Sequence, residues 1–318
     1  MGVGVFIARR LAALFATMLA ASFAVFGAVY LAPGNPLTAV TGGRPLPPST
    51  LHAISREYGF DQPFLVRYWD WLTGVLHGDF GRSVVFRQDV SALIEPRIGT
   101  TVFLVTYAAT LIIVTGVLLG LVSALRRGTA DTAILGVTAV GTSTPSFVAA
   151  IFLISVFTLQ LGWLPALGAG GGGVADQLRH MTMPAVALAL SGVAYVARLT
   201  RAAAREELRR EHVATARSRG IPERLVVRRH VLRNAMIPIT TAAGLTVAGL
   251  VAGAVVVENA FALNGLGSYL VQAVGQKDVP VVQATCLILI AAFVVINTVV
   301  DLLYAVLDPR IELSGGGQ

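Results

Sequence analysis

Ile98–Leu125 runs for 28 residues without a charged side chain, one of six long apolar runs along the chain. The others are Leu11–Ala32 (22 residues), Thr132–Leu161 (30), His180–Ala197 (18), Asn234–Val257 (24) and Val279–Val300 (22). A bilayer core about 30 Å thick is crossed by about 20 apolar residues in a helix, and a helix satisfies its own backbone hydrogen bonds there. In water, six such stretches would expose far more apolar surface than one core can cover. Composition agrees. Of 318 residues, 55% are hydrophobic and 13% charged, against about 25% charged in a soluble domain, and mean hydropathy is +0.74. The pattern predicts an all-α integral membrane protein with six transmembrane helices, the last continuing toward Leu307.

The first run follows Arg9 and Arg10. It is longer than the 7–15-residue apolar core of a typical signal peptide and lacks a small-residue cleavage site, so a retained helix is expected. The formal net charge is +7. Residues 198–233 hold eleven arginines against four glutamates, a local excess equal to the net charge of the whole chain. Arginine gathered in one inter-helix connection marks a cytoplasmic loop and makes nucleic-acid binding the poorer reading. With Arg9/Arg10 and Arg126/Arg127 on the same side, both termini are expected in the cytoplasm. The chain then divides into a tail and first helix (1–32), an external subdomain (33–97), a five-helix core (98–310) with the cytoplasmic loop 198–233, and a tail (311–318). Gly170–Gly173, in an external connection, reads as a flexible loop.

Cys286 is the single cysteine, and the five histidines are scattered, so no intramolecular disulfide and no zinc-like ligand spacing is expected. Lys277, followed by Asp278, is the only lysine. A phosphate-binding G-x-x-x-x-G-K-[ST] loop is therefore excluded, and energy must come from another subunit or from an ion gradient. Gradient-driven carriers tend to keep ionisable groups within their spans. Here the six runs contain no Asp, Glu, Lys or Arg, and Glu258 and Asp301 sit just beyond two of them. Both read as end-of-helix anchors or inter-helix hydrogen-bonding groups, with Asn297 one turn before Asp301. A secondary transporter or channel stays open as the alternative, although no internal repeat of the kind such carriers show is visible. A membrane-embedded enzyme would need a nucleophile or metal motif, and neither H-E-x-x-H nor G-x-S-x-G occurs.

The basic loop is more than a solvated charge run. Within the stretch Glu211–Glu223 a helix is expected to end at Gly220, a left-handed cap, and Pro222 reads as the first residue of a new helix with Glu223 in its first turn. That second helix is expected to run through Leu225, Val226 and Val227 to His230, Leu232 and Asn234. Helix–Gly-Ile-Pro–helix makes a bracket projecting from the membrane, of a size to fit a cleft on a partner.

Thr215-Ala216-Arg217-Ser218-Arg219-Gly220, followed by His230-Val231-Leu232-Arg233-Asn234-Ala235-Met236-Ile237-Pro238, resembles the coupling loop of permease subunits of dipeptide, oligopeptide and nickel ATP-binding-cassette importers. The resemblance extends through Gly78-Asp79-Phe80-Gly81-Arg82-Ser83, Pro145-Ser146-Phe147, Gly162-Trp163-Leu164-Pro165, Ala197-Arg198-Leu199-Thr200-Arg201, Glu258-Asn259-Ala260-Phe261 with Gly265-Leu266-Gly267, and Asp301 to Arg310. The wider importer pattern E-A-A-x-x-x-G stands here as Ala214-Thr215-Ala216 and Gly220, without its glutamate, so roles of that glutamate do not carry over. The resemblance implies the type I importer permease fold in a bacterial inner membrane, a second permease to complete the pore, two cytoplasmic ATPase subunits or domains, and an extracytoplasmic solute-binding protein. ATP and magnesium would be bound by the ATPases and no cofactor by this chain. Ala214, Thr215, Ala216, Arg217, Gly220, Ile221, Pro222, His230 and Asn234 are the implied coupling residues. Neither the solute nor the pore-lining residues follow from the sequence.

Overall fold

The computed structural model describes residues 3–31, 47, 49–50, 62–126 and 128–307, with the side chains at 3–7, 29–31, 301 and 303–307 left aside. The first half of the expected external subdomain, the Asp301 side chain and the segment from Asp308 onward lie outside them. The helices in chain order are α1 (Val3–Leu31), α2 (Phe64–Leu76), α3 (Val90–Leu125), α4 (Thr129–Ser143) and α5 (Ser146–Leu153), the last running on as a π-helical stretch, Ile154–Gln160. Then come α6 (Val174–Leu208), α7 (Glu211–Ser218), α8 (Glu223–Val226), a second π-helical stretch (Val227–Leu232), α9 (Arg233–Ala260), α10 (Leu266–Gln276) and α11 (Val279–Leu307). Among the described residues the one strand-like feature is a bridge between Arg82 and Asp89.

Among the described residues, five helices are long and apolar enough to cross a membrane, counting Glu223–Ala260 as one 38-residue rod. The sixth expected span, Thr132–Leu161, is not straight. It breaks into α4 and α5, which meet at 107°. The cause is local: a residue before proline is driven out of the helical region, and Thr144, before Pro145, sits at φ −93°, ψ 115°. Helix ends also differ from the charge-free runs. Helix α3 begins at Val90, so Glu95 and Arg97 lie inside it and the 97/98 boundary falls within a helix. Likewise Arg198–Leu208, expected as loop, is the last part of α6. A helix with all its backbone bonds closed extends past the apolar layer with charged side chains at its ends.

Small residues set the packing, as they must where lipid offers no hydrophobic drive between helices. Helix α6 lies at the centre and buries Ala185, Ala187, Ala189, Gly192, Ala194, Ala197 and Ala204. A β-carbon on Gly120 of α3 would stand 2.5 Å from the Ala197 carbonyl oxygen, and one on Gly192 would stand 2.5 Å from Ile112 Cδ1 and 2.7 Å from Thr246 Cγ2. Those glycines let α3, α6 and α9 approach. Helix α2, the described helix of the external segment, lies on α1 through edge-on rings (Phe23–Tyr68 at 5.2 Å, Phe26–Phe64 at 5.3 Å) and a Ser22–Tyr68 hydroxyl pair at 2.9 Å.

Candidate functional site

The arginine-rich end carries the expected bracket, in altered form. Helix α7 closes at Gly220, whose φ is +71°. The Gly220 N–H donates to the Arg217 carbonyl at 2.9 Å and the Ile221 N–H to the Ala216 carbonyl at 3.2 Å. These are the paired 5→2 and 6→1 bonds of a left-handed helix cap, and Ile221 meets Ala216 in an apolar cluster with Val213, Val226 and Val231, as such caps favour. Pro222 stands one place earlier than expected, as the N-cap of α8, because its φ −56°, ψ 138° is extended. Nor is the second helix a separate arm: α8, the π-helical stretch and α9 form one rod. The bracket is thus one short helix folded back on the end of a span.

Arg217 spans the turn, donating to Glu223 from Nε at 3.1 Å and from Nη2 at 2.6 Å. Glu223 so placed raises the Arg217 pKa above its ordinary value. Val213 and Ala216 face inward, whereas Ala214, Thr215, Arg217 and Pro222 are exposed. His230 and Asn234 meet a residue outside the implied coupling set: Asn234 Nδ2 donates to the His230 carbonyl at 2.9 Å and lies 3.3 Å from His212 Nε2. Beneath them, buried Glu207 pairs with Arg210 at 2.9 Å. A second tie went unseen in the sequence. Asp131 of α4 accepts from Arg201 Nε at 2.7 Å, Arg205 Nη2 at 2.7 Å and Ser123 Oγ at 2.5 Å, strapping α4 to α6.

Two buried carboxylates close the opposite end. Glu258 accepts from Thr101 Oγ1 at 2.6 Å and from the N–H groups of Gly267 at 2.7 Å and Ser268 at 3.0 Å. It caps the N-terminus of α10, where unpaired amides and the helix dipole favour an anion. A β-carbon on Gly265 would run into that carboxylate, and one on Gly267 would stand 2.5 Å from Val255 Cα. The quoted Glu258…Gly265-Leu266-Gly267 pattern is therefore a structural lock, in line with the anchoring role read for Glu258. Asp278 does the parallel work. It accepts from Ser83 Oγ and from the N–H groups of Val84 at 3.2 Å and Val85 at 3.3 Å. Gly78 and Gly81 take φ of +83° and +79° in the loop that brings Ser83 there, which accounts for the Gly78-Asp79-Phe80-Gly81-Arg82-Ser83 pattern. Gly170–Gly173 is not a free loop either: Asp176 Oδ2 accepts from Gly171 N–H at 2.9 Å and Gly172 N–H at 3.0 Å.

Midway between the two ends, a cavity of about 460 Å³ opens at the α4–α5 break, walled also by α6 and α9. Among the described residues no group of three His, Cys, Asp or Glu is placed to hold a metal ion.

Residues 116–313 match the family described as binding-protein-dependent transport system inner membrane component, and residues 4–105 match its N-terminal counterpart. A putative peptide transport system permease protein of Brucella abortus is 38% identical over 311 residues, covering 96% of this chain and 98% of that one. The glutathione transport system permease protein GsiC of Shigella flexneri is 35% identical over 308 residues, covering 96% and 98%. Among solved structures, an inward-facing form of the MetNI methionine ABC transporter superposes with TM-score 0.57 at 17% identity, over 68% of this chain and 96% of that chain. At that identity the likeness speaks to the fold: the helices are arranged as in an importer permease.

Proposed function

Because the chain belongs to the family of binding-protein-dependent transport system inner membrane components, we propose that its α7 bracket is the seat through which a cytoplasmic ATPase drives cargo across the bilayer. The chain is a multi-pass permease subunit of an ATP-binding-cassette importer. In this reading a second permease completes the pathway and two ATPase subunits or domains hold ATP and magnesium. An extracytoplasmic binding protein delivers the cargo, a peptide or a peptide-like molecule such as glutathione. The peptide and glutathione relatives support that cargo class. Both termini and the arginine-rich end face the cytoplasm, as the charge bias argues, and lipid surrounds the rest. No nucleic acid takes part.

The observation that carries the coupling role is the bracket's construction. A capped, ion-paired helix presents Ala214, Thr215 and Arg217 outward while joined by one turn to a rod that crosses the membrane. A solvated topology loop has no need of such rigidity. The test uses the assembled importer with Cys286→Ser and Thr215→Cys in this chain. A short bifunctional thiol reagent is expected to join position 215 to an engineered cysteine on the ATPase cleft, and nucleotide to change the yield. A complex that imports normally, leaves position 215 open to bulky reagents and never cross-links would overturn the assignment.

A further inference from the structure

The cavity at the α4–α5 break lies at mid-depth. The break at Thr144–Ser146 falls at the middle of the apolar run Thr132–Leu161 and Thr246 at the middle of Asn234–Val257, with Ser191 of α6 facing the same space. Its walls carry six hydroxyl side chains and no ionisable group. Thr142, Thr144 and Thr246 each donate to a carbonyl one turn earlier in their own helix, at 2.8, 2.8 and 2.7 Å, so their oxygens remain as acceptors. Ser143, Ser146 and Ser191 make no side-chain hydrogen bond among the described residues, and Ser143 and Ser191 are exposed. Unpaired hydroxyls at mid-depth are unfavourable against lipid tails, which offer no partner. The helix break adds polar backbone. The last carbonyls of α4 and the first amides of α5 have no helical partner of their own, and Pro145 supplies α5 with no side-chain cap. Broken helices of this kind are tolerated at membrane depth where they line a cavity.

The geometry points to a passage site for the uncharged amide backbone of a peptide. It offers donors and acceptors side by side and no fixed charge. Cargo is then held through groups common to all peptides, and side-chain charge neither helps nor hinders passage. This rests on the importer reading above. Gly249 on the cavity wall leaves room beside it: a β-carbon there would meet nothing within 4 Å.

The test uses the assembled importer in nanodiscs, with Cys286→Ser as background. A thiol introduced by Ser191→Cys is expected to react with a water-soluble, cationic methanethiosulfonate about tenfold faster than one introduced by Leu118→Cys, on an exposed apolar position of α3. Trialanine, Ala-Lys-Ala and Ala-Asp-Ala should each slow that reaction to a similar degree. A trialanine analogue with ester in place of amide links should be about tenfold less effective, since the hydroxyls then lose their N–H partners. In the second arm Gly249→Leu should abolish trialanine uptake at normal membrane abundance and normal basal ATP hydrolysis, whereas Gly136→Leu, equally open in the structure, should not. A thiol at 191 no faster than one at 118, protection that follows side-chain charge and ignores the ester change, or full uptake by Gly249→Leu would each overturn the proposal. If the unmodified complex imports neither trialanine nor glutathione, the peptide-cargo reading fails by itself, and the thiol and protection arm still decides the cavity.

Discussion

Ser83 and Asp278, 195 residues apart in sequence, meet in a fully buried hydrogen bond that pins the loop before α3 to the start of α11. The same carboxylate receives two backbone amides, so it supports three donors, the Ser83 hydroxyl fully buried and the two amides partly so. Asp278→Ala leaves all of them unpaired and is expected to cost about 2–4 kcal/mol, the range for emptying a buried charge-assisted site. Ser83→Ala removes one donor and should cost about 1–2 kcal/mol. Thermal unfolding of the detergent-solubilised complex, with membrane abundance beside it, measures both, and equal losses would contradict the shared-acceptor geometry.

Glu258 and its glycines predict an order of severity at the other lock. Gly265→Ala drives a methyl into a buried carboxylate and should destabilise by about 1–3 kcal/mol. Gly275→Ala, in open space on the same hairpin, should be neutral or slightly stabilising through its better helix propensity. Melting temperatures of the two variants, compared with that of the unmodified protein, check the contrast.

At Gly220 the backbone itself makes the forecast. A β-branched residue held at φ +71° is strained by about 1–2 kcal/mol, and the bracket will re-aim before the membrane helices yield. Gly220→Val should therefore accumulate in the membrane yet lose uptake and substrate-stimulated ATP hydrolysis by the partner subunits. Normal uptake at normal abundance would remove Gly220 from the coupling machinery.

Arg217 and Glu223 make the converse case. Both are largely exposed, so a double-mutant cycle with alanine should give a coupling energy of only about 0.3–1 kcal/mol in stability, falling further at high salt. Import should suffer more than stability, because the pair sets the angle of α7 against the rod. A stability coupling well above that range would show that the turn is more shielded than its exposure indicates.

Tight helix contact gives the last expectation. Gly120→Leu places a side chain where the Ala197 carbonyl and Thr200 already stand at 2.5 Å, and should abolish stable membrane insertion, whereas Gly120→Ser should leave a reduced but detectable population. Pulse-chase abundance separates the two.

The spans were legible because a run without charge admits few other fates, and Gly220 because a left-handed cap has a chemical signature. The ends of the helices were not, since a hydrogen-bonded rod carries Glu95, Arg97 and Arg198–Leu208 past the apolar layer without needing further apolar residues. Pro145 held the signal for the bend at Thr144, but a charge count does not read backbone angles. Glu258 was legible as an anchor and its two glycines as a pattern, yet their contact is a tertiary fact. The same holds for Ser83 with Asp278 and for Asp131 with Arg201: no local rule pairs residues so far apart in the chain. The cavity was invisible for the opposite reason, since serine and threonine scattered through apolar runs look like ordinary span residues until four helix segments converge on them.

One rod joins the bracket to the cavity. Leu225 and Thr246 are 21 residue steps apart, about 32 Å at the rise of a helix. In the coupling proposed above, such a rod would work as a lever. A sideways push of a few ångströms at Pro222 would then reach Thr246 as a tilt of the cavity wall, not as slack taken up in a loop. The π-helical stretch Val227–Leu232 is the place along the shaft where the winding loosens.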